Sequence, residues 1–359
     1  MNIFSRYLIR YLFTGFAAAA GLLLPLFTTF NLINELDDVS PGGYHWTQAL
    51  LVVLMTLPRC FIDLGPFIAL LGGIVGLGLL SKNSELTAIR STGFSVFRIA
   101  MVALTAGIVW AASLGAIDEW LASPLQQRAL QIRNVAMATE NGVDISGNIL
   151  WARRDNTFMT VKSLNEQGQP TGVEIFHYRD DLSLEFYIYA RKATIVEGDK
   201  WLLQEVNKKQ WLNGKESTEI KDVLPWDAFF TRMSLDVLSL PANTFSVGQL
   251  NHYIAYLQQT RQPSLEYHLA LWQKLGRPIL TLAMILLAVP FAFVAPRSSA
   301  LGSRLAVGGI VGLLLYISYQ IVVNLGLLFA LSAPFIALTL PTLCVIVALM
   351  LIWRYDKVR

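Results

Sequence analysis

Five basic residues stand where an apolar chain ordinarily carries none. Arg59, with Asp63 four residues on, falls in one charge-poor run, Lys274 and Arg277 fall in another, and Arg128 and Arg133 follow a third. Arginine grips phosphate through a planar fork of N–H donors. Residues of this type gathered at one level of a membrane would have a phosphorylated lipid headgroup as their natural ligand. Snorkelling is the other reading, in which long basic side chains simply reach ordinary phospholipid phosphates.

A second candidate is "SKNSELTAIRSTGF", residues 81–94, a polar segment between two membrane-length apolar runs. Ser84 is placed to cap a short helix, Glu85 falls in its positive first turn, Arg90 in its last turn, and Gly93 suits a left-handed exit. Leu86 and Ile89 give it a small apolar face. Such a helix either rests on lipid headgroups or inserts as a foot into a partner protein.

Motifs for catalysis do not occur. There is no phosphate-binding GxxxxGK[ST], no HExxH and no GxSxG. His45, His177, His252 and His268 are scattered, and Cys60 and Cys344 have no metal-type spacing. No catalytic residue, metal site or bound cofactor is therefore expected in this chain. Three of the apolar runs hold no ionisable residue, and one of these offers only Tyr316, Ser318, Tyr319, Gln320 and Asn324. Ion-coupled transport needs titratable groups at that depth, so any transport must draw its energy from a partner.

The elements that position these residues follow from the charge pattern. Of 359 residues, 54% are hydrophobic and 15% charged, against about 25% charged in soluble domains. No charge occurs between Arg10 and Glu35, Asp63 and Lys82, Arg98 and Asp118, or Arg277 and Arg297, nor from Leu305 to Trp353. About 20 apolar residues span a bilayer, so six spans are expected, near 8–32, 52–80, 97–122, 265–295, 303–327 and 334–353. The first is too long for a removable signal peptide, and no small-residue cleavage site precedes "NELDD". One set of ends and loops carries Arg6, Arg10, Lys82, Arg90, Arg98, Arg297, Arg304, Arg354, Lys357 and Arg359, whereas loops 33–46 and 328–333 have no Lys or Arg. The positive-inside rule places both termini in the cytoplasm and the basic collar on the opposite side.

Between the third and fourth spans, residues 137–245 read as an inserted all-β domain. Short runs such as "TFMTVKSL", "GVEIFHYR" and "SLEFYIYA" are separated by "NEQGQP", "RDD" and "EGD", which predicts an antiparallel sandwich or jelly roll. It would serve as a cap or as a docking module. Leu250, Ile254 and Leu257 then line one face of an amphipathic helix over 246–263, leading back to the membrane. The segments "GGIVG" at 72–76 and 308–312 have the small-xxx-small spacing of close helix contacts. The expected division is 1–136, 137–245 and 246–359.

These stretches resemble a known family. "SELTAIRSTGFS", "EWLASP", "ILWARRDNTFMTVKSL" and "LGLLFALSAPFIALTLP" look like the LptF/LptG permeases of the lipopolysaccharide-export ABC transporter. So does the order of three spans, β domain and three spans. The resemblance implies a bacterial inner-membrane permease with its β domain in the periplasm. It implies an LptF-type permease, an LptB-type ATPase dimer carrying ATP and Mg²⁺, and LptC and LptA as bridge proteins; nucleic acid has no place in it. Lipopolysaccharide would enter from the periplasmic leaflet, with spans 1 and 5 as gates. Ser84, Glu85, Leu86, Ile89 and Arg90 would form the ATPase-coupling helix, with Glu85 its acidic residue. Arg59 and Arg133 match basic positions of relatives facing the lipid A phosphates. Relatives carry lysines where this chain has "NLINELDDVS", so the phosphate grip would rest more on Arg59, Arg133 and span 4. Asn31, Asp37 and Asp38 there cannot bind phosphate directly but could hold a bridging divalent cation. Two other readings use the same residues: a membrane-anchored scaffold recruiting periplasmic partners, and a permease for another lipid.

Overall fold

The computed structural model describes residues 3–40, 43–141, 150–154, 156–165, 169–181, 183–196, 200–212, 215–227, 240–259, 262–293, 301–329 and 331–357. Arg297 and Arg359, both counted in the charge asymmetry, lie outside the described residues. Among them are six helices long and apolar enough to cross a membrane. They are α1 (Ile3–Asp37), α2 (Trp46–Lys82), α4 (Val96–Ile117, continued below), α7 (Leu265–Phe293), α8 (Leu301–Leu328) and α9 (Ala333–Lys357). The 35 residues of α1 extend about 52 Å at ~1.5 Å per residue, well beyond ~30 Å of hydrocarbon.

α2 and α7 form the centre of the bundle. Ile68, Leu70, Ile74 and Leu77 of α2 join Ala283, Ile285, Ala288 and Val289 of α7 in one core, closed by Ala103 of α4 and Ala348 of α9. Lipid tails are as apolar as these side chains, so close packing rather than water exclusion must hold the helices together. Glycine permits it. A Cβ on Gly15 of α1 would lie 2.1 Å from the Gly72 carbonyl oxygen, and one on Gly76 2.6 Å from that of Tyr11. The second "GGIVG" also faces α2, where a Cβ on Gly308 would meet Ile74 at 2.3 Å. Both segments are therefore seams within the chain.

The packing of α1 weakens beyond its first half, where Ala20, Leu23 and Leu24 are only half-buried against the core. Leu8, Leu12, Phe16 and Ala19 are buried, whereas Leu22, Leu26, Phe27, Phe30 and Ile33 are exposed. Along α8, Ile310, Leu313, Leu314, Ile317 and Ile321 are exposed as well. Apolar faces of this extent require lipid or another helix bundle against them.

The third span does not end at Ile117. A single π turn, Asp118–Ala122, joins α4 to α5 (Ser123–Asn141) as one helical rod. The Ser123 N–H bonds the Asp118 carbonyl, five residues back.

The insertion is all-β, with strands β1 (Leu150–Arg154), β2 (Thr157–Leu164), β3 (Pro170–Tyr178), β4 (Leu184–Val196), β5 (Lys200–Leu212) and β6 (Lys215–Asp227). All pair antiparallel in consecutive order in one sheet. Strands adjacent in sequence are thus adjacent in the sheet, and the expected inserted all-β domain is present. The sheet folds over itself. In β4, Ile188 and Ala190 are buried, then Ala193; in β5, Trp201 and Leu203, then Val206. The alternation changes parity at paired positions, since Ala190 opposes Val206 and Ala193 opposes Leu203. Glu205, at φ 52°, marks the line. All six residues share one core with Met159, Val161, Val173 and Ile175, so the halves of β4 and β5 must turn opposite faces toward it.

The return helix α6 (Val247–Gln259) buries Leu250, Ile254 and Leu257, as the stripe requires. Its first turn is fixed from the third span: the Glu119 carboxylate accepts the N–H groups of Val247 at 2.8 Å and Gly248 at 3.2 Å. Tyr253 reaches the sheet core and packs edge-on against Tyr267 of α7, with ring centroids 4.7 Å apart.

Candidate functional site

The polar foot is a short helix, α3 (Glu85–Ser91), between α2 and α4. Its start differs from the expected serine cap. Ser84 is left-handed, at φ 61°, and its side chain makes no capping bond. The chain turns at Asn83 and Ser84, and that turn places Ser84 in the left-handed region at a cost of about 1–2 kcal/mol. Side chains at the next position hold the turn: the Glu85 carboxylate accepts Asn83 Nδ2–H at 3.3 Å and Tyr7 O–H at 2.8 Å. Gly93, at φ 91°, supplies the exit expected of it.

The apolar face of the foot points into the protein. Leu86 is 2% exposed within the helical core, and Ile89 packs against that core. Arg90 lies over the Phe293 ring of α7 at 5.5 Å. Beyond the foot, the Asp356 carboxylate of α9 accepts the Val96 N–H at 2.8 Å, capping α4. Lys82, Ser84, Thr87, Ala88, Ser91 and Thr92 face outward. A turn lying on lipid would show its apolar side outward, whereas the outward side here is polar and small.

At the other end of α2, the basic residues divide into two clusters and one outlier. Arg59 Nη1 donates to Asp118 Oδ1 at 3.2 Å, and Lys274 Nζ to Asp118 Oδ2 at 2.6 Å and Ser123 Oγ at 3.3 Å. Arg59 Nε lies 3.4 Å from Asp63 Oδ2, and Arg277 Nη2 2.9 Å from Asp63 Oδ1. Arg59, Asp118 and Lys274 are each 7% exposed. Charges this deep persist only when paired. The π turn begins at Asp118, between the two cations. Three cations share two carboxylates, and Arg277 Nη1 is buried with no hydrogen-bond partner among the described residues. Arg277 and Lys274 line a small recess with Ile62, Leu114 and Asp118.

The second cluster joins α5 to the far end of α1. Arg133 Nε lies 3.2 Å from Glu35 Oε2, and Nη2 2.5 Å from Asp38 Oδ2. The buried Tyr44 hydroxyl donates to Glu35 at 3.0 Å. Burial, then this carboxylate, pushes the Tyr44 pKa above its ordinary value. The acidic "NELDD" end of α1 is therefore the internal counter-ion of Arg133, and among the described residues no three acidic, His or Cys side chains group as a metal site. Arg128 is exposed and outside both clusters.

Asp118 and Tyr7 are among the residues of these sites that escaped sequence reading. Asp118 looks like the polar edge of an apolar run, and a π turn has no sequence signature. Tyr7 is an aromatic near the start of a helix, and nothing local announces its partner 78 residues away.

The sequence matches the family described as lipopolysaccharide export system permease LptF/LptG over residues 6–354. The chain belongs to this family. It is 27% identical over 349 residues to the lipopolysaccharide export system permease protein LptG of Escherichia coli strain K12, covering 95% of each chain. It is 27% identical over 360 residues to LptG of Haemophilus influenzae, covering 100% of this chain and 99% of the relative. The strand start "LWAR…NTF" also looks more like LptG than LptF. For an LptF/LptG permease the architecture is coherent: six spans, an inserted sheet, a fixed foot at one end and a charged cluster toward the other. It is a multi-pass membrane protein.

Proposed function

We propose that the chain is the LptG-type permease subunit of an ABC transporter that extracts lipopolysaccharide from the periplasmic leaflet of the inner membrane. Both termini and the foot lie in the cytoplasm, and the sheet lies in the periplasm. The chain itself catalyses nothing. An LptB-type ATPase dimer supplies ATP hydrolysis with Mg²⁺, an LptF-type permease completes the cavity, and LptC and LptA receive the lipid. The observation that carries this reading is the family match along nearly the whole chain, which includes the foot and both charged clusters.

The geometry supports particular roles within it. The outward side of α3 is polar and small, suited to a groove in the ATPase, while Leu86 and Arg90 fasten it inward. Ser84 shapes its entry, Ile89 seats it, and Glu85 retains free lone pairs for a partner cation, since a carboxylate accepts about four bonds. Arg128 and Arg277 are the basic groups best placed to meet a lipid phosphate. Arg59 and Lys274 are held by Asp118, and Arg133 by Glu35 and Asp38, so these three contribute field more than direct contact until their carboxylates are displaced.

The test is assembly. Co-expressed with LptF-type and LptB-type partners, the chain should co-purify with the ATPase. Removing the outward side of the foot with Thr87→Glu and Ala88→Glu should abolish that complex without unfolding the chain. Retention of the ATPase by this variant would remove the foot from the interface.

A further inference from the structure

The foot is tied to α1 as well as to α2. Tyr7 has one hydroxyl proton and two neighbours within reach, Glu85 Oε2 at 2.8 Å and the Tyr11 hydroxyl at 3.2 Å. The carboxylate is the nearer and stronger acceptor, so the proton goes to Glu85. Three residues earlier on α1, the Phe4 ring packs on Phe94, with centroids 4.8 Å apart. The first turns of α1 thus touch both ends of the segment 81–94. Farther along, α1 and α2 are in close backbone contact at Gly15, Gly72 and Gly76. Beyond Leu24 few side chains of α1 meet the bundle, and its far end is held through Arg133.

We propose that Tyr7 is a positioning residue that fixes Glu85 and passes movement of the foot to α1 through the Tyr7–Glu85 hydrogen bond. The inference rests on the reading of α3 as the ATPase-docking foot. On that reading, Glu85 meets its partner already oriented, with one oxygen held by Asn83 and the other by Tyr7. A push on the foot then moves α1 together with α2.

The experiment uses the complete complex of this chain with LptF-type and LptB-type partners in proteoliposomes loaded with lipopolysaccharide. ATP hydrolysis and lipid release are measured together for the unaltered chain, Tyr7→Phe, Glu85→Ala and the double variant. A hydrogen bond to a charged group lost in Tyr7→Phe should lower lipid released per ATP by about ten-fold, and Tyr7→Phe should add nothing to Glu85→Ala. Lipid per ATP equal to that of the unaltered chain, or additive losses in the double variant, would overturn the proposal. Tyr11→Phe removes the neighbouring hydroxyl from the same helix and should couple normally. An equal loss in Tyr7→Phe and Tyr11→Phe would show general damage to α1 and would also overturn it. If the unaltered chain binds no ATPase, the docking reading itself fails, an outcome distinct from normal coupling in Tyr7→Phe.

Discussion

The Lys274 ammonium lies 2.6 Å from the Asp118 carboxylate, where Asp118 opens the π turn and both side chains are shielded from water. Asp118 also holds Arg59, so one carboxylate stands between two buried cations from α2 and α7. That junction binds the third span to the two central helices.

Asp118→Ala should therefore be strongly destabilising. It leaves two cations without their shared partner, an effect of about 3–5 kcal/mol when a buried pair is broken on one side. Thermal unfolding in detergent should show a large drop in midpoint. Asp118→Ala combined with Lys274→Met should recover much of it, and a double variant no better than the single one would contradict the pairing.

The α1–α2 seam gives a prediction about shape alone. Gly15→Ala places a methyl group 2.1 Å from a backbone oxygen of α2, which no rotamer change can relieve. Overpacking of this kind costs about 1–3 kcal/mol or more. Gly309→Ala, with nothing within 4 Å of its Cβ, should leave yield and melting unchanged.

How much of this was legible depends on distance along the chain. The spans are readable because charges are absent over whole membrane lengths, as between Arg10 and Glu35. The strands are readable because turn residues separate them, and α6 because its stripe is local. The counter-ions are not. Arg59, Asp118 and Lys274 meet from three helices, and no pattern in any one of them names the others. The fold in the sheet at Arg191–Lys192 and Gln204–Glu205 is similarly silent, since its cause is two strands changing parity together. Ser84 misled because a serine before an acidic first turn signals a cap, yet here the turn between α2 and α3 set its backbone.

Arg133 offers a test of the far end of α1. Its side chain is 31% exposed, so Arg133→Ala should cost only about 1 kcal/mol, in the range of solvent-screened pairs. Its local effect should be larger. Hydrogen exchange over 30–40 should accelerate while the foot remains protected, and unchanged exchange there would show that the Glu35–Arg133–Asp38 cluster does not hold α1.

Tyr44 predicts an alkaline response. Its folded pKa is raised by burial and by Glu35, so its protonated form is favoured in the folded state. That stability is fully present below the unfolded value of about 10 and is lost as pH rises toward the folded value. Melting midpoints of the unaltered chain should fall faster above about pH 10 than those of Tyr44→Phe, which has no proton to lose. Parallel curves would exclude Tyr44 as a contributor.

The central claim is tested most directly by lipopolysaccharide release. The complex of this chain with LptF-type and LptB-type partners is placed in proteoliposomes, and transfer of lipid to LptC and LptA is followed with and without ATP. ATP-dependent transfer that disappears when this chain is omitted is the predicted result. ATP hydrolysis with no lipid transfer, or transfer that persists without the chain, would contradict it.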